Sequence, residues 1–343
     1  MDLLKRLCET PGIPGYEAPI REVIRDALDG VVDSISVDRL GNLIAHRAGN
    51  GPVVVVAAHM DEIGFMVSHI EEKTGFLRIH PLGGFDPMVL FAKRVDVHTE
   101  SGTLTGTIGR LAKHALTPEQ RKKTPEMRDL FVDTGLRAEK VVELVSVGDT
   151  VTMRQSLEQV GDLWSGKALD DRVGVYVGIE ALKRVKKLDC DLYFVATTQE
   201  EVGVRGAVVA GHALQPEIGI ALDVTVAGDI PGVSERDQIT KLGKGVAIKL
   251  KDSRSISHPA VVKGMKQLAE KAGIAHQFEI LPMGGTDAGA LQAARDGAAV
   301  VTLSIPTRYV HSVVETVHPD DVEATILLLT EFLENASTID LAA

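Results

Sequence analysis

The chain has 343 residues, of which 44% are hydrophobic and 25% charged, and its formal net charge is −11. This acidic balance argues against a nucleic-acid-binding protein, and no stretch approaches the ~20 consecutive apolar residues of a membrane span. Only two cysteines, Cys8 and Cys190, are present, so disulfides are not expected to organise the fold. The first residues, MDLLKRLCETPG, lack the apolar run of a secretory signal, and a cytoplasmic protein is expected.

The pattern along the chain predicts an α/β domain. Residues 1–29 predict two helices separated by the Gly- and Pro-rich turn TPGIPGYE. Short β-branched runs follow, each ending in a polar or turn residue: GPVVVVAAHMD, LYFVATTQEE, GIALD and AAVVTLSIP. Helical patterns such as DDRVGVYVGIEALKRVKK and HPAVVKGMKQLAEKAG lie between these runs. Continuous apolar strands that alternate with helices predict a sheet covered by helices on both faces.

The middle of the chain has a different pattern. The segments GFLRIHPLGG and RVDVHTESGTLTGTIGR alternate apolar and polar residues and predict hairpin strands, without a long helix. The segment LAKHALTPEQRKKTPEMRD is basic, contains proline and predicts a mobile loop. We therefore expect a small β-rich domain, residues 68–160, inserted in an α/β domain formed by residues 1–67 and 161–343.

Metal-type side chains follow several of the predicted strands. VVVVAA leads to His59 and Asp61, LYFVATTQ to Glu200 and Glu201, IGIAL to Asp223, and VVTLSIPTRYV to His311. Because strand carboxyl ends form the binding edge of an open α/β sheet, these residues are expected to converge, with Asp170 and Asp171 of GKALDDR nearby. Histidines and carboxylates are ligands that zinc, cobalt and manganese accept. Each residue alone is commonly structural, so spacing leaves open both a metal site and a set of caps and turns.

The neighbouring glutamates Glu200 and Glu201 pose a separate question. Side chains of adjacent strand residues point to opposite faces, so an adjacent pair does not naturally share one task. Either the pair is a solvated strand end, or the chain turns there and each carboxylate has its own role.

Six ordered motifs resemble those of the glutamyl and tetrahedral aminopeptidases of metallopeptidase family 42: AAHMDEIGFMV, SGKALDDRVG, QEEVGVRGA, ALDVTVAGDIPG, GGTDAGA and TRYVHSVVE. Some members of that family were once labelled endoglucanases. The resemblance covers nearly the whole chain and includes the inserted domain. It implies two divalent metal ions per subunit, zinc or cobalt, with manganese as a third candidate.

The resemblance also implies a role for each ligand. Asp170 would be the carboxylate that bridges the two ions, which offsets the repulsion between two dications ~3.5–4 Å apart. His59 and Asp223 would complete the protein ligands of one ion. Glu201 and His311 would complete those of the other.

Residues around the ligands have implied roles as well. Glu200 would be the general base, which takes a proton from a water that bridges the metals and passes it to the leaving amine. Asp61 would orient the imidazole of His59. The pair Asp170–Asp171 resembles a cis peptide of the family.

The implied function is a two-metal aminopeptidase that removes residues from the N-termini of short peptides. Its insert would pair subunits into dimers that build a tetrahedral dodecamer. One alternative is a metal-binding or scaffold protein without catalysis, in which Glu200 is dispensable. Another is a glycoside hydrolase, which needs two carboxylates ~5–9.5 Å apart and leaves two histidines unexplained.

The sequence leaves three properties open. The preferred N-terminal residue is either leucine-type or glutamate- or aspartate-type, and the loops 252–258 and 284–287 are expected to line its pocket. Arg254 either favours an acidic side chain there or lies in solvent. The native metal depends on availability in the cell. The basic segment 112–128, with His114, is expected to be a solvated loop, with a contact to a neighbouring subunit's site as the alternative.

Overall fold

The computed structural model describes residues 1–342. Its α-helices are α1 Asp2–Glu9, α2 Ala18–Leu28, α3 Pro87–Leu90, α4 Pro118–Lys122, α5 Ala138–Leu144, α6 Leu169–Arg184, α7 Arg205–Leu214, α8 Pro259–Ala272, α9 Asp287–Gln292 and α10 Pro319–Leu333. Within the described residues, no helix has the length and apolar character needed to cross a membrane.

The strands form one large mixed sheet and one barrel. They are β1 Ser34–Val37, β2 Leu43–Arg47, β3 Val53–His59, β4 Gly64–Ile70, β5 Leu77–Leu82, β6 Arg94–Thr99, β7 Gly102–Arg110, β8 Leu130–Asp133, β9 Thr150–Met153, β10 Glu158–Val160, β11 Leu163–Gly166, β12 Asp191–Thr197, β13 Ile218–Val226, β14 Val246–Lys251, β15 His276–Ile280, β16 Ala299–Arg308 and β17 Glu315–Val317.

The large sheet has the order β1-β2-β12-β3-β13-β16-β17-β11-β10. Outside this order, β14 pairs with β16, and β15 pairs with β14. The four neighbours β12, β3, β13 and β16 are parallel to one another. Their carboxyl ends therefore lie at one edge of the sheet. This is the edge that holds the binding site in open α/β folds.

Helices cover both faces of this sheet. Val54 and Val56 of β3 belong to the core formed with α1, α2, α6, α8 and α10. Val55 and Ala57 belong to a second core with α7 and α9. Successive strand residues point to opposite faces, so a strand buried on both faces needs a continuous apolar run such as VVVVAA. The predicted α/β class is confirmed.

The inserted domain is a closed antiparallel barrel with the strand order β4-β5-β8-β7-β6-β9. It has its own core, which includes Phe65, Val97 and Val151. The barrel runs from Gly64 to Met153, whereas the sequence predicted an insert over 68–160. The start of β4 belongs to the barrel, because Phe65 and Met66 pair with Val151 and Thr150 of β9. At the other end, β10 pairs with β11 and so belongs to the large sheet.

The basic segment 112–128 projects from the barrel. It contains the short helix α4, the 3-10 turn Lys113–Ala115 and the start of a second 3-10 turn, Met127–Asp129. Nearly all of its residues are exposed in the chain. His114 and Lys122 are among the exposed residues. The segment thus has the solvated character that its composition predicts.

Candidate metal centre

The predicted ligands lie at the carboxyl edge of the parallel strands. His59 is the last residue of β3, and the pair Glu200 and Glu201 lies in the turn after β12. His311 follows β16 by three residues. Asp170 lies in the first turn of α6, next to this edge. The sequence predicts that these side chains meet, because most of them follow the carboxyl ends of predicted strands.

Asp223 lies within β13, although the sequence predicted that it follows the strand. The reason is unequal pairing on the two sides of β13. Its ladder with β16 continues to Val226, whereas its ladder with β3 ends at Ala221. Asp223 therefore stands beyond the end of the β3 pairing, where its carboxylate reaches the same edge as His59.

The side chains form two groups that share one carboxylate. In the first group, His59, Asp170 and Asp223 offer ligand atoms that all lie within 4.8 Å of one another, and in the second group Asp170, Glu201 and His311 do the same. Asp170 Oδ1 lies 3.0 Å from His59 Nε2, and Asp170 Oδ2 lies 3.3 Å from His311 Nε2. Asp170 thus faces both groups, one oxygen to each.

The donor set fits divalent cations of the zinc type, because each group combines one imidazole with two carboxylates. Burial raises the pKa of Asp223 well above its ordinary value, and the charge of Asp170 raises it further. Burial alone would lower the pKa of His311. The hydrogen bonds of His311 to Asp170 and Glu201 outweigh the effect of burial and raise this pKa to about 12. A bound cation would offset this concentration of buried negative charge.

Glu200 belongs to neither group, although it adjoins both. Burial raises its pKa well above the ordinary value; the charge of His59 opposes this rise, and the carboxylates of Asp223 and Asp287 add to it. The residue as a whole is half-buried. A carboxyl group with a raised pKa is suited to accept and return a proton near neutral pH.

The chain turns sharply at the glutamate pair, so the pair is not a solvated strand end. Gln199 has φ +56° and Val204 has φ +52°, both in the left-handed region. The amides of Gly203 and Val204 each donate to the carbonyl oxygen of Glu200, at 2.8 Å. This turn separates the two glutamates from the strand alternation that would send them to opposite faces.

Asp61 supports the turn and the histidine by different atoms. Its buried carboxylate accepts hydrogen bonds from the amides of Glu200 at 3.0 Å and Glu201 at 3.1 Å. Its carbonyl oxygen, and not its carboxylate, lies 3.1 Å from His59 Nδ1; the nearest carboxylate oxygen is 3.6 Å away. Asp61 is thus within hydrogen-bond distance of the His59 imidazole through its carbonyl oxygen, while its carboxylate accepts from two main-chain amides.

Two buried glutamates at the site received no role from the sequence. Glu315 accepts from the amides of His311 at 2.8 Å and Asp170 at 2.9 Å, and burial raises its pKa to about 8. Glu17 accepts from the amide of Gln199 at 3.2 Å, next to the glutamate pair. An acidic residue within the apolar stretch SVVETV was the available signal for Glu315. Glu17 lies in the Gly- and Pro-rich turn, where a polar residue is expected and does not indicate a functional role.

The loop before α9 adjoins the site through Asp287. This buried carboxylate accepts from Thr197 Oγ1 at 2.5 Å, and burial raises its pKa to about 6. Arg254 lies on the neighbouring loop, where the aliphatic part of its side chain packs against Gly285. Its side chain is exposed in the chain. The two loops expected to line a substrate pocket are therefore in contact with each other.

Known proteins resemble this chain over nearly its whole length. The profile of the M42 glutamyl aminopeptidase family matches residues 41–328. A lysyl aminopeptidase of Pyrococcus furiosus is 38% identical over 347 aligned positions, which cover 99% of this chain and 98% of the relative.

Solved structures agree over the same length. A TET aminopeptidase from a marine-sediment Thaumarchaeota archaeon superposes with a TM-score of 0.94 at 36% identity, covering 97% of this chain and 95% of that chain. A TET1 peptidase of Pyrococcus horikoshii, described as able to assemble into a tetrahedron or a large octahedral shell, gives a TM-score of 0.86 at 35% identity, covering 97% and 98%. The chain therefore belongs to the M42 glutamyl aminopeptidase family and is an aminopeptidase, a hydrolase that acts on peptides.

Proposed function

We propose that this chain is a two-metal aminopeptidase that removes residues one at a time from the free N-termini of short peptides. The observation that carries the proposal is a pair of histidine–carboxylate groups that share Asp170. Glu200 lies beside both groups and belongs to neither, which leaves it free for proton transfer.

Five residues would hold the metal ions. Asp170 would bridge them, His59 and Asp223 would complete one set of ligands, and Glu201 and His311 the other. When bound, two divalent ions acidify the attacking water and stabilise the charge that develops on the scissile carbonyl group. Zinc or cobalt suits this mixed set of imidazoles and carboxylates, with manganese as a third candidate.

Glu200 would act as the general base and then as the general acid. Its carboxylate accepts a proton from the attacking water and returns it to the amine that leaves. The hydrogen bond from its amide to Asp61 fixes the turn that presents it. Because the Glu200 side chain is not needed as a ligand, its loss would remove proton transfer without removing metal.

The concentration of carboxylates would also select for a free N-terminus. A free α-amine would find room near one metal ion and the carboxylates around it, and would gain an attractive interaction there. A blocked amine lacks this attraction. The site is therefore suited to the terminal peptide bond and not to internal ones.

We also propose that the barrel joins subunits into dimers that assemble into a tetrahedral dodecamer. The barrel has its own core. The segment after β5 adjoins Glu201 and His311 at Gly83 and Gly84, so assembly would use another face of the barrel. The description of the Pyrococcus horikoshii relative as a tetrahedron or octahedral shell supports this proposal. Both cysteines are buried free thiols, which suits a reducing cytoplasm.

The direct test is hydrolysis of a panel of aminoacyl-p-nitroanilides, with and without a chelator. The proposal expects at least one member to be cleaved, the activity to be lost after chelation, and zinc or cobalt to restore it. Full activity after verified metal removal would contradict the two-metal assignment. Failure of the metal-loaded protein to cleave any member would favour the scaffold alternative. The leucine, glutamate and lysine members of the panel also identify the preferred residue.

A further inference from the structure

We propose that Glu315 is a positioning residue for the metal centre: one buried carboxylate that fixes the main chain of two metal ligands, Asp170 and His311. The proposal rests on the two-metal assignment above. It concerns a residue that would not touch either ion.

The contacts of Glu315 are specific and use both of its carboxylate oxygens. The side chain is 2% exposed. Oε1 accepts from the amide of His311 at 2.8 Å, and Oε2 accepts from the amide of Asp170 at 2.9 Å. Both oxygens are therefore engaged by main-chain donors of two separate segments. Glu315 is outside both ligand groups, because its oxygens face main-chain donors.

The topology explains why this position can reach both ligands. Strand β17 lies between β16 and β11 and is antiparallel to each. His311 lies in the loop that follows β16, and Asp170 lies just after the end of β11. Glu315 is the first residue of β17 and is paired with Gly166, the last residue of β11. Its side chain therefore starts beside both loops.

Both loops have a backbone conformation that needs outside support. Ala168 has φ +56° just before Asp170, and both Tyr309 and His311 have φ +61°. Residues with a Cβ atom are disfavoured in the left-handed region and persist there only where the surrounding structure enforces it. A carboxylate that accepts from both loops at once supplies such enforcement.

The other ligands show the same arrangement with different carboxylates. Buried carboxylates accept hydrogen bonds from the main-chain amides of four proposed ligands. Asp171 accepts from the amide of His59, and Asp61 accepts from the amide of Glu201. Glu315 accepts from the amides of both Asp170 and His311. Asp223 differs because its main chain belongs to the ladder of β13. Glu315 is distinguished by serving two ligands from separate segments.

This arrangement predicts an unequal effect on the two ions. The group formed by Asp170, Glu201 and His311 has two ligands that depend on Glu315. The group formed by His59, Asp170 and Asp223 has one. Removing a hydrogen bond of Glu315 should therefore weaken metal binding more in the group that contains His311 than in the group that contains His59.

The test replaces Glu315 and measures metal affinity directly. In Glu315→Gln the side-chain amide nitrogen cannot accept a hydrogen bond, so one of the two main-chain amides loses its partner. Metal-free protein is titrated with zinc in competition with a chromophoric chelator, which yields a dissociation constant for each site. Wild type should bind two ions, and Glu315→Gln should bind one of them about 10- to 100-fold more weakly, the usual effect of removing support behind a ligand.

Asp321 provides a matched control. It is also a buried carboxylate that accepts from two main-chain amides, those of Gly243 at 2.7 Å and Gly245 at 2.6 Å. It lies in the first turn of α10 and in neither ligand group. Asp321→Asn should lower the melting temperature of the metal-free protein but leave both zinc constants unchanged.

Each outcome decides the proposal. Wild-type zinc affinity at both sites of Glu315→Gln overturns it, and so does an equal loss of affinity in Glu315→Gln and Asp321→Asn. If wild type binds no zinc, the two-metal assignment fails and this inference fails with it. If Glu315→Gln does not fold, Glu315→Asp serves instead. It keeps the charge but is one methylene shorter, so it should also weaken one site, and unchanged affinity overturns the proposal.

Discussion

Asp170 and Asp171 are neighbours joined by a cis peptide bond, and their carboxylates bind different partners. Asp170 lies between the imidazoles of His59 and His311. Asp171 accepts from the amide of Gly174 three residues on, the usual contact of a helix cap, and from the amide of His59. Asp171 thus makes the contact of a helix cap, whereas Asp170 faces the two imidazoles that we propose as metal ligands.

Removing metal should lower thermal stability as well as activity. Without cations, the carboxylates of both groups are buried close together, with one imidazole in each group. A ligand that binds only the native state stabilises it by about 2.7 kcal/mol at a free concentration of about 100 times its dissociation constant. Melting curves before and after chelation, and after zinc is returned, check this. Identical curves in all three states would contradict the metal centre.

The metal-free protein should become less stable as the pH rises from about 5 to about 8. Burial raises the pKa of Glu315 to about 8 and that of Asp287 to about 6, and the carboxylates beside His311 raise its pKa to about 12 despite burial. In this window the folded state therefore binds more protons than the unfolded state, so the free energy of unfolding falls with rising pH.

Urea unfolding at three pH values checks the sign. The metal-loaded protein serves as the control and should show a smaller slope, because cations replace the protons that the cluster binds. A free energy of unfolding that rises with pH in the metal-free protein would show that these groups do not hold their protons as the buried cluster implies.

Blocking the α-amine should abolish most of the activity on peptides. In the proposed mechanism the free amine would interact with the metal centre and the carboxylates around it, and acetylation would remove that interaction. A free peptide followed by mass spectrometry should lose residues stepwise from its N-terminus, while its N-acetylated form stays intact. Internal cleavage of the acetylated peptide at a comparable rate would rule out an exopeptidase.

The assembly proposal predicts a particle far larger than the 36.7 kDa chain. Light scattering coupled to gel filtration should give a mass near twelve chains, with dimers as the smaller species. Deleting the exposed segment 112–128 offers a control, because it leaves the barrel strands intact. A stable and active monomer would contradict the proposal.

The convergence of the site was predictable because it follows from topology. Parallel strands separated by helices bring their carboxyl ends to one edge, so His59, Glu201 and His311 were expected together although they are distant in sequence. The position of Asp223 inside β13 was not predictable, because it depends on how far two different neighbours pair with that strand. The start of the barrel at Gly64 was not predictable either, because it depends on which strands β4 pairs with.

The supporting carboxylates could not be assigned from sequence. Glu315 and Asp61 act on main-chain amides, and every residue except proline carries the same amide, so no residue type marks the partner. Asp61 and its partner Glu201 are 140 positions apart, and Glu315 and Asp170 are 145 apart. Such contacts are fixed only when the loops are packed in three dimensions.

The measurement that tests the central claim most directly is the metal content and kcat of two variants, Glu200→Gln and Glu201→Gln. Glu200→Gln should keep both metal ions and lose about 10²- to 10⁴-fold in kcat, because the amide cannot accept the proton. Glu201→Gln exchanges an anionic ligand for a neutral amide and should lose one metal ion per chain, with partial recovery in excess zinc. If Glu200→Gln loses metal while Glu201→Gln keeps it, the two roles are reversed. If both variants stay fully active with both ions bound, neither glutamate has the role proposed for it.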